Sequence, residues 1–278
     1  MLIRLGHSPD PDDAFMHYAL AEGRIDMRGL RFEHVLEDIQ TLNVWAMEGR
    51  LEVTAISVHA YPYVQDRYLL LPHGASMGSG YGPIVVTREP LDDDALRTRR
   101  IAVPGLLTTA FLALRLRLGE FAHVAMPFDE ILPAVARGDV EAGLLIHEGQ
   151  LTYASHGLAK SLDLGEWWQG ETGLPLPLGA NAVRRDLGAD TIHDVTEVLR
   201  ASISYALAHR EQALAYAAGF GRGLDDDLND RFVGMYVNEL TEDYGDDGRR
   251  AVRELLERGQ ALGAFAGLER PVAVEFAR

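Results

Sequence analysis

Few side chains in this sequence are placed where they could do chemistry. The apolar run VEAGLLI predicts a strand that ends on His147, with HEGQLTY following. An imidazole delivered to a strand end has ordinary histidine chemistry available near neutral pH and can act as a general base, although a lone histidine is more often structural or merely exposed. Thr108 and Thr109, in LLTTAF, open a predicted helix directly after a strand. At that edge of an α/β sheet, unpaired N–H groups and Thr hydroxyls can hold a carboxylate, or a threonine can simply cap the helix. Ser57 has the same edge position at the end of a predicted strand over 52–58. Asp10, Asp12 and Asp13 surround another helix start, with Asp10 at the cap and Pro11 in the first turn. Such acids favour a helix N-terminus, and the same helix start can also face a cleft, where Asp13 or backbone N–H groups would touch substrate.

Other motifs fail on their context. GASMG (74–78) matches G-x-S-x-G, but GSGYGP cannot supply the helix a nucleophile elbow needs. GSGYGP also breaks the dinucleotide fingerprint, HEGQL lacks the second histidine of a zincin, and DPDDAF lacks the glycine and later glutamate of a calcium loop. The chain has no cysteine, which removes thiolate and disulfide chemistry. No metal site and no cofactor are expected.

The 278 residues carry 26 Lys and Arg against 42 Asp and Glu, a net charge of −16 that repels nucleic acid and anionic membrane. The opening MLIRL is broken by Arg4 and then by three aspartates, so it is no signal-peptide core. No window approaches 18 uninterrupted apolar residues. The expectation is a cytoplasmic protein that acts on a small molecule; its oligomeric state is not legible.

These groups need a frame. Strands are predicted at 2–6, 31–35, 52–58, 67–71 and 83–87, with GASMGSGYG as a turn and helices over 11–22 and up to Gly49. A fresh strand–helix alternation begins near 99 and ends on His147. A Pro-rich return precedes helices near 190–219, 225–242 and 246–262. This alternation predicts an α/β fold with mainly parallel sheets and a cleft between two lobes. The larger lobe is discontinuous, 1–95 plus 180–278, and the smaller one is inserted at 96–179.

The stretches SPDPDDAFMHYAL, VLEDIQTLNVWAMEGRLEVTAIS, VPGLLTTAF, ILPAVARGDVEAGLLIHEGQLTY and LGEWWQGETGLPLPLGA, in this order, resemble the 1,4-dihydroxy-6-naphthoate synthase family of the futalosine branch of menaquinone biosynthesis. The resemblance implies a two-lobed fold like type II periplasmic binding proteins. It also implies a carbon–carbon lyase that converts cyclic dehypoxanthinyl futalosine, a carboxylate, without metal or redox cofactor. It makes His147 the proton-abstracting base, and Ala55, Ile56 and Ser57 with Thr109 and Ala110 the substrate contacts. The chain departs from the family pattern S-P-C-P-N-D-T-F at Asp10, Asp12 and Ala14, and has Ala55 where a lysine is common. These changes bear on how the substrate carboxylate is held. Two other readings share the fold: chorismate dehydratase of the same pathway, and a cytoplasmic small-molecule binding protein without catalysis.

Overall fold

Local punctuation sets many of the element boundaries. Asp38 caps the helix Ile39–Glu48 by accepting from the N–H groups of Gln40 and Thr41, and Gly49 ends it with φ of 69°. Thr108 caps Thr109–Leu118 through the N–H of Phe111, and Gly138 closes Phe128–Arg137 with φ of 81°. The computed structural model describes residues 1–221, 224–268 and 270–278.

Eleven strands occur among the described residues: β1 (Leu2–His7), β2 (Arg31–Leu36), β3 (Val53–Ser57), β4 (Tyr68–Leu70), β5 (Ser76–Gly78), β6 (Ile84–Thr87), β7 (Ile101–Val103), β8 (His123–Ala125), β9 (Ala142–Leu145), β10 (Ala159–Asp163) and β11 (Leu176–Arg184). They form two sheets, ordered β2-β1-β3-β11-β4 with β5 on β11, and β8-β7-β9-β6-β10. Each sheet repeats one plan. Three parallel strands come first, then an antiparallel strand next to a crossing of the chain, β11 in one and β6 in the other. The two-lobed α/β expectation is met, but the sheets are mixed rather than mainly parallel, because β6 and β11 each run against their neighbours.

Three local expectations change with this topology. Residues 76–78, expected in a turn, form a strand because β11 is long enough to pair with β3, β4 and β5. β6 precedes residue 96 yet belongs to the second sheet, and β11 begins before residue 180 yet belongs to the first. The helix expected over 190–219 divides at His209 into Ala189–Ala208 and Arg210–Ala217.

A continuous core lies behind the crossings, joining Ile56 and Tyr68 of the first sheet to Val85, Val103 and Leu144 of the second. Trp168, Tyr61 and Tyr244 are fully buried in it, each contributing roughly 2–3 kcal/mol of apolar transfer. Among the described residues no helix is long and apolar enough to cross a membrane.

Candidate functional site

The C-terminal ends of β1, β3 and β7 open on one cleft. Strand alternation decides which side chains reach it. Ala55 and Ser57 of β3 line the cleft, whereas Ile56 between them is wholly buried in the core. The register places Asn181 opposite Ala55 and Gly179 opposite Ser57, and both also line the cleft.

Ser57 is held by Asn43. The Asn43 amide donates to the Ser57 hydroxyl at 2.9 Å and accepts the Ser57 N–H at 2.8 Å. The hydroxyl therefore has its own proton left to offer into the cleft. Asn43 was not among the residues singled out from sequence; its signal was an amide on the apolar stripe of Leu42 and Ala46.

Facing Ser57 across the cleft is the start of the helix Thr109–Leu118. Neither threonine hydroxyl is available to a ligand. That of Thr108 donates to the Gly105 carbonyl and accepts from Phe111, and that of Thr109 donates to the Leu178 carbonyl and accepts the His59 N–H. What remains at this helix start is the pair of N–H groups of Thr109 and Ala110, a site suited to an anion. The loop before it is fastened to the first sheet's side: Gln40 accepts the Leu107 N–H at 3.0 Å and packs where a side chain on Gly105 would be, 2.2 Å from an ideal Cβ. Gly105 has φ of 154°, a conformation left to glycine.

The remaining wall is acidic. Asp10, at the cap position of Pro11–Ala21, makes no capping bond; it accepts the Ser8 hydroxyl at 2.9 Å, and Asp13 accepts the Ser8 N–H at 2.7 Å. All three aspartates line the cleft, so the capping expectation gives way to the alternative in which this helix start faces a ligand. Burial pushes the Asp12 carboxyl well up, with Asp13 and Asp10 adding to it; burial also raises Asp13, against the bonds from Ser8. No Lys, Arg or His lines the cleft among the described residues. Tyr236, which sequence reasoning also missed, closes the far side and donates to Gln150 at 2.9 Å, joining the two lobes.

His147 is placed differently from expectation. β9 ends at Leu145, so the ring follows the strand by two residues, in the turn before Gly149–Thr152. It is 7% exposed and is not among the cleft-lining residues, although its neighbour Ile146 is. Nδ1 receives the Gly149 N–H at 2.9 Å, and Nε2 lies 3.0 Å from the Phe128 carbonyl. The tautomer that satisfies both contacts carries its proton on Nε2, leaving Nδ1 as the basic atom. The structure thus gathers Ala55, Ser57, Thr108, Thr109 and Ala110 around one cleft, and leaves Ile56 and the His147 ring outside it. Among the described residues no cluster of three His, Asp or Glu could hold a metal ion.

The model of a family described as menaquinone biosynthesis matches residues 3–261. A 1,4-dihydroxy-6-naphthoate synthase of Thermus thermophilus is 48% identical, over 98% of this chain and 99% of that protein. A crystal structure of an Archaeoglobus fulgidus protein superposes with a TM-score of 0.90 at 47% identity, covering 94% of this chain and 98% of that one. A Candida albicans gene product described as having the generic periplasmic binding protein fold superposes at 0.74 with 14% identity, covering 96% and 91%, a likeness of fold alone.

Proposed function

The chain belongs to the menaquinone-biosynthesis family, and we propose that its cleft performs the reaction for which its Thermus relative is named, forming 1,4-dihydroxy-6-naphthoate by carbon–carbon cleavage of cyclic dehypoxanthinyl futalosine. The observation that carries the proposal for this cleft is the pair of free N–H groups at Thr109 and Ala110 facing the Ser57 hydroxyl, a cradle for a carboxylate in a cleft without cations. The lobes, joined over the substrate by Gln40–Leu107 and Tyr236–Gln150, exclude water and fix its orientation.

His147 is the base in this reading. Its basic Nδ1 is restrained by one N–H two residues away, a contact confined to the 147–149 turn. Opening that turn frees the lone pair beside Ile146, which already lines the cleft. Aromatisation of the product then drives cleavage, so the protein has only to remove a proton and hold geometry. The same reading assigns no cofactor, places the enzyme in the cytoplasm, and divides the chain into lobes at the crossings near 79–83 and 173–175.

The test is turnover of cyclic dehypoxanthinyl futalosine by the wild type and by His147→Asn and His147→Ala, with chorismate assayed in parallel. The expected result is naphthoate absorbance from the wild type, loss of about 10²–10⁴-fold in kcat with retained substrate binding in both variants, and no reaction of chorismate. Near-normal turnover by His147→Asn moves the base to Asp13, whose carboxyl lines the cleft. Turnover of chorismate alone, or of neither compound, overturns the synthase reading.

A further inference from the structure

We propose that Asp12 is a substrate-binding residue that works as a neutral carboxylic acid, donating a hydrogen bond to an oxygen of the substrate. This inference rests on the synthase reading above.

Among the three acids Asp12 is the one without a short bond from Ser8; its carboxyl meets the N–H groups of Asp12 and Asp13 and a distant hydroxyl. Asp10 and Asp13 take short bonds from Ser8, whereas the side-chain bond to the Asp12 carboxyl comes from the Ser76 hydroxyl at 3.5 Å. Its side chain is nine-tenths buried and lines the cleft, so its remaining polar capacity opens toward a ligand. A second buried group points the same way: Asn181, 1% exposed and also in the lining, has its amide nitrogen without a partner. That amide lies against Gly74, where an ideal Cβ would come within 2.3 Å. A buried unpaired amide beside a carboxyl whose side-chain bond is long is what a ligand rich in oxygen acceptors would satisfy.

Charge decides the protonation state. Asp10 and Asp13 are on the same segment, and the wall around them offers no cation. Among the elements packed on Pro11–Ala21, the helix Asp226–Tyr236 presents the Tyr236 phenol, already committed to Gln150. Arg210 is turned away onto Asp230 and the Phe15 ring. His17 and His7 at the sheet end are held neutral by burial, and His73 with them. Adjacent carboxylates in a buried wall without a cation cannot all stay ionised, and the proton goes to Asp12, which burial and the flanking Asp13 and Asp10 charges push up and which no short side-chain bond holds down. A protonated carboxyl has the outline of an asparagine amide and the same ability to donate. The acid at this position thereby avoids the repulsion an ionised Asp12 would exert on a substrate carboxylate.

The experiment measures kcat/KM against pH from 6 to 9 for wild type, Asp12→Asn and Asp12→Ala, and binding of 1,4-dihydroxy-6-naphthoate over the same range. For the wild type, kcat/KM and product affinity should fall as pH rises through the Asp12 titration, approaching tenfold per unit beyond it. Asp12→Asn should lose that fall, so the variant-to-wild-type ratio climbs with pH. Asp12→Ala should lose the fall and run about tenfold below Asp12→Asn throughout. An alkaline fall that persists in Asp12→Asn, or equal performance of the Ala and Asn variants, overturns the proposal. If the wild type turns over no futalosine derivative, the synthase reading fails, and the pH dependence of naphthoate binding still decides the role of Asp12.

Discussion

Acidification from pH 7 to pH 5 should destabilise this fold by several kcal/mol. His7, His59 and His73 are at most 3% exposed, and burial pushes each imidazole down to about 4, against 6.5 when solvated. A depressed imidazole contributes stability that is complete above pH 6.5 and is lost as pH falls toward 4, because the unfolded chain binds the proton that the folded one refuses. Between pH 7 and 5 each such group costs about 1.8 kcal/mol, so the three together cost about 5 kcal/mol. His34 and His17 act in the same direction, both lowered by burial. The Asp12–Asp13 pair works against them, since burial raises both carboxyls and the folded state then gains a proton on acidification. Asp12, neutral at pH 7 in the proposal above, and Asp13, raised to about 6, together return about 4 kcal/mol over the two units, and the three imidazoles with His34, also lowered to about 4, outweigh them. Urea unfolding at pH 7.0 and 5.0 measures the balance, and the unfolding free energy should drop by about 2–4 kcal/mol, a large part of a typical domain's total. The His17 ring, buried with neither nitrogen bonded, supplies an internal control. His17→Phe should narrow the gap between the two pH values. Equal stability at pH 5 and 7, or a gap untouched by His17→Phe, would refute the burial argument.

Two further perturbations probe the frame of the site, beside the variants of His147 and Asp12 described above. Asn43→Ala leaves the buried Ser57 N–H without its acceptor and should cost about 1–3 kcal/mol by denaturant titration, with a fall in kcat/KM beyond what the stability loss accounts for. Gly165→Ala would bring a Cβ within 1.9 Å of the Tyr81 carbonyl at the first crossing. It should lower Tm by about 5–10 °C in a thermal melt, through overpacking of about 2–3 kcal/mol.

Much of the local structure was legible in the sequence because its causes are local. The helix stops at Gly49, Gly119 and Gly138, the cap at Thr108 and the strand at 53–57 each depend on a few adjacent residues. Their type and spacing also located Ser57 and the Thr109–Ala110 amides at sheet edges, where the structure has them. The net charge implied that an anionic ligand needs local help from backbone N–H groups, a helix N-terminus or a buried arginine, and the structure offers the first two. Only the tertiary structure decided the rest. The β11 strand pairs Gly179 with Ser57, residues more than a hundred positions apart, and that pairing turned an expected turn at 76–78 into β5 and brought Asn181 into the cleft. Whether the acids at 10, 12 and 13 cap their helix or face a ligand depended on what packs opposite them, which no neighbouring residue specifies. The His147 ring turns to Phe128 and Gly149 for the same reason: the strand sets where a side chain begins, and the partners it meets across the fold set where it points.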